Sequence, residues 1–292
     1  LLDQRGNDWP KITELASGLS ELGVFDLLRE SGEPLSSATV AERLKTSLTG
    51  MQTLLEACVG LKVLKVEWKE GKGLYGNTEF ADLFLAKSSP KSQYYTMKYY
   101  SEDVYPALQH LPEAVRDGKP PILSIYGTPS NEFYGPLSKE GVERFLNFMS
   151  EGWSLHGKDV VSAFDLSEFQ LICDLGGSSG GLAKELISVY PNCTVKLFDL
   201  PGVVEISKKY NAFSDESQIS FHAGGGVLAV DPVIDDKISG SLPAHLYCMI
   251  MLVICEGKSR KESEHRMLFQ TAGFKDIQFK KGKILDIILA RK

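Results

Sequence analysis

The stretch that decides the fold is Cys173-Asp174-Leu175-Gly176-Gly177-Ser178-Ser179-Gly180-Gly181-Leu182-Ala183. It joins a buried-type apolar run, Leu171-Ile172-Cys173-Asp174, to a segment over 182–190 that reads as a helix. Glycines between a strand and a helix let the backbone approach a ligand closely and leave the first N–H groups of the helix free for polar atoms. Asp174 closes the strand with a carboxylate. A second acid, Asp199, closes the next strand (195–198), 19 residues after Gly180. That is the spacing at which an acid meets the hydroxyl pair of a ribose.

No register of these glycines fits the dinucleotide pattern G-x-G-x-x-G, and no Gly-Lys-Ser/Thr follows to form a nucleoside-triphosphate loop. An acid ahead of the glycines suits a nucleoside with a cationic amino-acid tail better than a pyrophosphate. S-adenosylmethionine is such a ligand. Outward from the turn, strands and helices alternate: a helix over 203–210, strands over 219–221 and 227–230, and helices over 242–256 and 262–271. This is the signature of a parallel sheet covered by helices. The chain closes with strands over 277–279 and 284–289 around a tight turn, an antiparallel hairpin foreign to a plain dinucleotide-binding domain.

The first half is mostly helical. Ile12, Leu15, Leu19 and Leu22 recur at helical spacing, Ser36 and Ser37 can cap a second helix ending at Leu44, and Leu54, Leu55, Cys58 and Leu61 line a third. A strand over 64–68, a Gly-rich turn and Leu74-Tyr75 complete the pattern of a winged helix. The third helix holds no Lys or Arg, so it lacks the charge that phosphate contacts need. Packing and dimerisation are the reading of this module, and nucleic acid is not. Helices resume over 92–116 and 138–153; in the latter, Val142, Phe145, Phe148, Met149 and Trp153 form an apolar stripe. The stripe reads as core, with some members able to line a substrate cavity.

A net charge of −6 and a sequence pI near 5.5 argue against partners bound through basic patches. No apolar run reaches the about 18 residues that cross a bilayer. Five cysteines without metal-type spacing fit reduced core thiols and a cytoplasmic location, with no metal site.

Four motifs now stand together: Asp174-Leu175-Gly176-Gly177, Phe198-Asp199-Leu200-Pro201, Gly225-Gly226-Val227-Leu228 and Ala272-Gly273-Phe274. In order and approximate spacing they resemble the caffeate/acetylserotonin-type S-adenosylmethionine-dependent O-methyltransferases. Leu22-Gly23-Val24-Phe25-Asp26-Leu27-Leu28 looks like that family's N-terminal dimerisation domain. The resemblance implies an α/β protein: a Rossmann-like class I methyltransferase sheet with a C-terminal antiparallel hairpin, preceded by a mostly helical winged-helix dimerisation domain. The implied domains are a dimerisation domain over 1–88, a helical connector over 89–160 and a cofactor-binding domain over 161–292. It also implies a homodimer that transfers a methyl group to a hydroxyl of a small, aromatic molecule.

Carried over residue by residue, Asp174, Gly176, Gly177, Gly180 and Gly224 hold the cofactor, Asp199 takes its ribose and Leu200 packs on its adenine. Trp153 and Tyr134 match aromatic residues that shield it. Phe145, Met149, Ile250 and Ile254 fall at substrate positions. The family members most similar to the chain carry a Maf-like nucleotide pyrophosphatase domain upstream, so a fusion is expected.

The resemblance also marks departures. Ser178 replaces a glycine, Ser259 stands where the family has a glutamate, and Asp231 retains a second supporting acid in shortened form. Ile250 and Ile254 replace an Asn and a Gln that hold the amide of acetylserotonin. An apparent gap of about 40 residues falls between Gly224 and Gly225, where the family carries its fourth strand and its catalytic His-Asp pair. Either the natural chain has a segment missing from this sequence, or the chain is a shortened form. No catalytic pair is assigned, and His222, at a strand end, reads as structural rather than as a substitute base. The alternative function is a catalytically degenerate domain that binds cofactor and dimerises. Losing a central strand would open a slot of about 10 Å, two strand spacings, and leave backbone groups unpaired on both sides.

Overall fold

The structure, a computed structural model, describes residues 9–127, 139–199, 201–210, 226–231, 233–234, 242–254, 259–282 and 285–291. The chain divides into two compact units, Leu1–Tyr105 and Pro106–Lys292.

In the first unit, α1 (Trp9–Leu22) and α2 (Val24–Ser31) are separated by Gly23, whose φ of +81° only glycine adopts at ease. This break inserts a helix that the sequence pattern alone does not show. Strand β1 (Leu35–Ser36) leads into α3 (Ser37–Arg43), and α4 (Leu48–Gly60) follows. The Ser36 and Ser47 hydroxyls accept the backbone N–H groups of Thr39 and Gly50, both at 3.1 Å, and so cap α3 and α4 as expected for N-terminal serines. The hairpin of β2 (Leu64–Lys69) and β3 (Lys72–Asn77) pairs antiparallel, with β1 added on the β3 side. Leu19, Phe25, Met51 and Leu55 fill the core between helices and hairpin. The Asn77 amide donates to the Phe25 carbonyl at 2.8 Å, tying the hairpin to α2.

The expected helix over 92–116 is interrupted. It resolves into α5 (Tyr94–Tyr99), a wider π-helical turn (Tyr100–Val104), α6 (Tyr105–Leu108) and α7 (Leu111–Asp117). Pro106 and Pro112 each remove a helix donor there. After α8 (Ile122–Tyr126), the second unit continues with α9 (Lys139–Val161), which runs eight residues past Trp153, the end of its apolar stripe.

Strand β4 (Leu171–Leu175), helix α10 (Gly181–Val189), strand β5 (Thr194–Phe198) and helix α11 (Pro201–Tyr210) form the strand–helix alternation read from the sequence. β4 and β5 pair in parallel, Leu171 beside Thr194 through Leu175 beside Phe198. Then come β6 (Gly226–Asp231), α12 (Leu242–Ile254), α13 (Glu262–Thr271), β7 (Asp276–Lys280) and β8 (Asp286–Arg291). These last strands make an antiparallel sheet in the order β6-β8-β7. The closing hairpin is therefore as expected. The strand expected over 219–221 lies outside the described residues.

The two sheets lean on one apolar cluster, in which Leu186 of α10 and Leu289 of β8 meet Ile172, Val195 and Leu228. Among the described residues, however, no hydrogen bond joins β4 to β6. β4 has the composition of a central strand, yet none of its residues is buried, and Leu175 is 78% exposed. By contrast Ile287 to Ala290 of β8 are all buried. A parallel strand normally has neighbours and helices over both faces; among the described residues β4 pairs with β5 alone and stands as an edge. Cys173, expected in the core, is consequently exposed, whereas Cys58 is buried and its thiol is pushed up to about 12 by desolvation.

Iodoacetamide should therefore label Cys173 of the folded protein well before Cys58, read by mass spectrometry of the digested chain. Equal rates would place β4 inside a closed sheet.

Candidate functional site

The turn after β4 is built from alternating left-handed residues. Gly176, Ser178 and Gly180 have φ of +71°, +52° and +77°, and Gly180 N–H closes the turn on the Gly177 carbonyl at 2.8 Å. Glycine meets this demand without strain; Ser178 does not. The glycine at 177 answers a different need. A Cβ there would lie 2.7 Å from Leu197 Cγ and 2.9 Å from Asp174 Oδ2. Gly181, the first residue of α10, lets α9 approach: a Cβ would stand 2.9 Å from Trp153 Cδ1 and 3.3 Å from Ser150 Cα.

Four elements thus converge on the turn. Asp174 comes from the end of β4, Asp199 from the end of β5, Trp153 from α9 and Ser207 from α11. Asp199 Oδ2 accepts the Ser178 N–H at 2.8 Å, and the Ser207 hydroxyl donates to the Ser178 carbonyl at 2.9 Å. Asp174 Oδ2 is buried and has no hydrogen-bond partner. Burial raises the Asp174 carboxyl above the usual carboxylate range, and the Asp199 charge raises it further. An unpartnered carboxylate oxygen near a second acid is an arrangement that a cationic group would satisfy.

Of the residues singled out in the sequence, Trp153, Asp174, Gly176, Gly177, Gly180 and Asp199 are therefore gathered at one place. Tyr134, Leu200, His222, Gly224 and Cys255 lie outside the described residues. Phe145 packs with Val142, Leu146, Val203 and Ile206, and Met149 is half-buried one turn further along α9. Ile254 packs against Ala107, Ala114 and Val253, and Ile250 lies half-buried one turn earlier on α12. Ser259 is buried and its hydroxyl has no partner.

One pairing was not legible in the sequence. Asp231, at the end of β6, lies 3.2 Å from Nε2 of His265 on α13. His265 is 6% exposed and stacks on Phe269 with ring centres 6.3 Å apart. Burial raises the Asp231 carboxyl, while His265 and Arg260 pull the other way. The 33 residues between the partners carry no signal that pairs one with the other; the capped start of α13 sets His265 against the strand end. Among the described residues there is no cluster of three or more metal-ligating side chains, and no helix is long and apolar enough to cross a membrane.

Residues 108–224 and 220–275 match a model of the O-methyltransferase domain, and residues 17–87 match the O-methyltransferase dimerisation domain. The chain belongs to the O-methyltransferase family. It is 40% identical to acetylserotonin O-methyltransferase of Gallus gallus, over 93% of this chain and 91% of the relative. It is also similar to the crystal structure of human N-acetylserotonin methyltransferase in complex with SAM, at 37% identity and a TM-score of 0.88, over 99% and 96% of the two chains. The probable bifunctional dTTP/UTP pyrophosphatase/methyltransferase protein of Homo sapiens matches at 28%, over 93% of this chain and 50% of its own length. The expected kinship with a fused pyrophosphatase protein is thus the weaker one, and the relatives matched over their whole length stand nearer.

The family match breaks at 220–224, in the stretch of chain between β5 and β6, strands that belong to different sheets among the described residues. The alignment with the Gallus gallus relative runs over 316 positions but takes in 93% of this 292-residue chain, about 272 residues. About 44 positions of the relative therefore have no counterpart here. This agrees with the gap read between Gly224 and Gly225.

Because the folded state raises the Asp174 pKa, the neutral form favours folding: the contribution is present in acid and is lost as pH rises through the folded pKa. Asp174→Asn should accordingly raise the melting temperature of the ligand-free protein at pH 7, with the gain shrinking below pH 4, the region of the ordinary carboxylate pKa. A lower melting temperature at pH 7 would contradict the burial argument. Gly177→Ala should cost about 1–3 kcal/mol in chemical denaturation, because Leu197 and Asp174 must shift to admit the methyl group.

Proposed function

We propose that the chain binds S-adenosylmethionine at the turn after β4 and transfers its methyl group to a hydroxyl of a small aromatic molecule. The observation that carries this reading is the buried, unpartnered Asp174 Oδ2 beside a turn that has open space at Gly176. An acid pair repels a pyrophosphate and attracts an ammonium group. Asp174 and the turn would hold the amino-acid end of the cofactor, Asp199 its ribose, and Trp153 would cover it. Tyr134, Leu200 and Gly224 complete the set that the family resemblance implies. When bound, the cofactor supplies an electrophilic methyl group; positioning the acceptor oxygen in line supplies much of the acceleration.

Membership of the family, with similarity over nearly the full chain to proteins named as O-methyltransferases, favours this reading over a degenerate scaffold. The dimerisation-domain match supports a homodimer. The free cysteines Cys58, Cys173, Cys193 and Cys248 fit a reducing cytoplasm.

Among acceptors, the names of the relatives make N-acetylserotonin the first to try. Ile250 and Ile254 argue for an acceptor without a buried amide, since an unpaired amide costs about 1–3 kcal/mol. Phe145 and Met149 would complete an apolar wall. Asp231 would support proton removal, through its contact with His265, as the oxygen attacks.

S-adenosylhomocysteine at about 100 times its dissociation constant should stabilise the protein by roughly 2.7 kcal/mol and raise its melting temperature by a few degrees, with NAD inert as control. Asp174→Ala should abolish the shift. A folded protein that does not shift would overturn the proposal.

A further inference from the structure

Ser178 is the sole residue with a side chain among the three left-handed positions of the turn. A Cβ at positive φ is strained. The Ser178 hydroxyl is also buried and without a hydrogen-bond partner, a second cost. A glycine would remove both costs, so something outside the ligand-free turn must compensate them.

The surroundings hold Ser178 in place rather than letting it relax. Its N–H donates to Asp199 Oδ2 at 2.8 Å, and its carbonyl accepts the Ser207 hydroxyl at 2.9 Å. Ser207 is 8% exposed on α11, so its rotamer is confined. Bonds on both sides of one Cα fix the direction of its Cα–Cβ bond. The turn thereby presents two unpartnered buried groups: Asp174 Oδ2, which as a carboxylate only accepts, and Ser178 Oγ, which can donate. An amino acid in zwitterionic form offers a donor ammonium and an acceptor carboxylate. The two pairs match.

We infer that Ser178 is a specificity residue for the amino-acid end of the ligand, its hydroxyl donating to the ligand carboxylate, and that Ser207 is the positioning residue that aims it. This rests on the proposal that an S-adenosyl nucleoside occupies the turn. The test compares two nucleosides by calorimetric titration. S-adenosylhomocysteine carries the amino acid; 5′-methylthioadenosine is the same thioether nucleoside without it.

Ser178→Ala should weaken S-adenosylhomocysteine about tenfold and change 5′-methylthioadenosine by less than about twofold. Ser207→Ala should show the same split at about threefold, since it loosens the hydroxyl without removing it. Unaltered binding of 5′-methylthioadenosine shows that each variant is folded with its nucleoside site intact. Equal losses for both ligands would make Ser178 and Ser207 merely structural and overturn the inference. So would Ser178→Gly binding S-adenosylhomocysteine more tightly than the unaltered chain, because strain relief would then be the whole effect. If the unaltered chain binds neither nucleoside, the cofactor reading fails first and the inference falls with it. If it binds both and the variants show no split, the inference alone fails.

Discussion

The strand–turn–helix of β4 and α10 governs the second unit, and its controlling demand is a backbone that turns left-handed at three alternate positions. Gly176, Ser178 and Gly180 meet that demand at φ of +71°, +52° and +77°. Everything gathered at the site depends on it. The turn brings the end of β4 beside the end of β5, so Asp174 and Asp199 face each other. It starts α10 at Gly181, where the absence of a Cβ lets Trp153 of α9 come within contact. It also sets the Ser178 peptide groups where Asp199 and Ser207 can bond them. Burial raises the Asp174 carboxyl above the usual carboxylate range, and the nearby Asp199 charge adds to the rise. A cationic ligand at the turn, as proposed, would favour the charged form of Asp174.

The split between β4–β5 and β6–β8–β7 sets the second theme. A parallel sheet gains stability by burying both faces and pairing both edges of its central strands. β4 has the apolar sequence for that role but not the environment, and Leu175 and Cys173 stand exposed as a result. Apolar material from both sheets still converges on Leu186 and Leu289, so helix packing holds together what the backbone ladder does not. The break in the family match at 220–224 falls at the same place in the chain. The proposed cofactor half of the site is carried by β4, β5, α9, α10 and α11, all before that break. Of the residues proposed for the acceptor, Phe145 and Met149 on α9 precede it, whereas Asp231, Ile250 and Ile254 follow it.

Much of this was legible from residue order. The helical spacing of Leu15, Leu19 and Leu22, the serine cap at 36, and the apolar runs of β4, β5, β6 and β8 are local signals, because each depends on residues within a turn or two. The Gly-rich turn and the two strand-ending acids were legible for the same reason: a left-handed backbone and a carboxylate at a strand end are demands on single positions. Even the missing segment could be read, since Gly224 runs directly into Gly225 and leaves no length for another strand.

What only the tertiary structure decided were the relations between distant groups. Gly23 splitting α1 from α2, the exposure of Cys173, the His265–Asp231 contact and the clamp of Ser207 on Ser178 have no periodic signature. Burial and hydrogen bonding over such distances arise from packing, which is a property of several elements at once. Sequence fixes which groups are available; it does not fix which remain unpaired after packing. That is why Asp174 could be identified as a site residue from the chain alone, whereas its orphaned oxygen, and the unpaired hydroxyl of Ser178 in the same turn, emerged only when β4, β5 and α11 had closed around them.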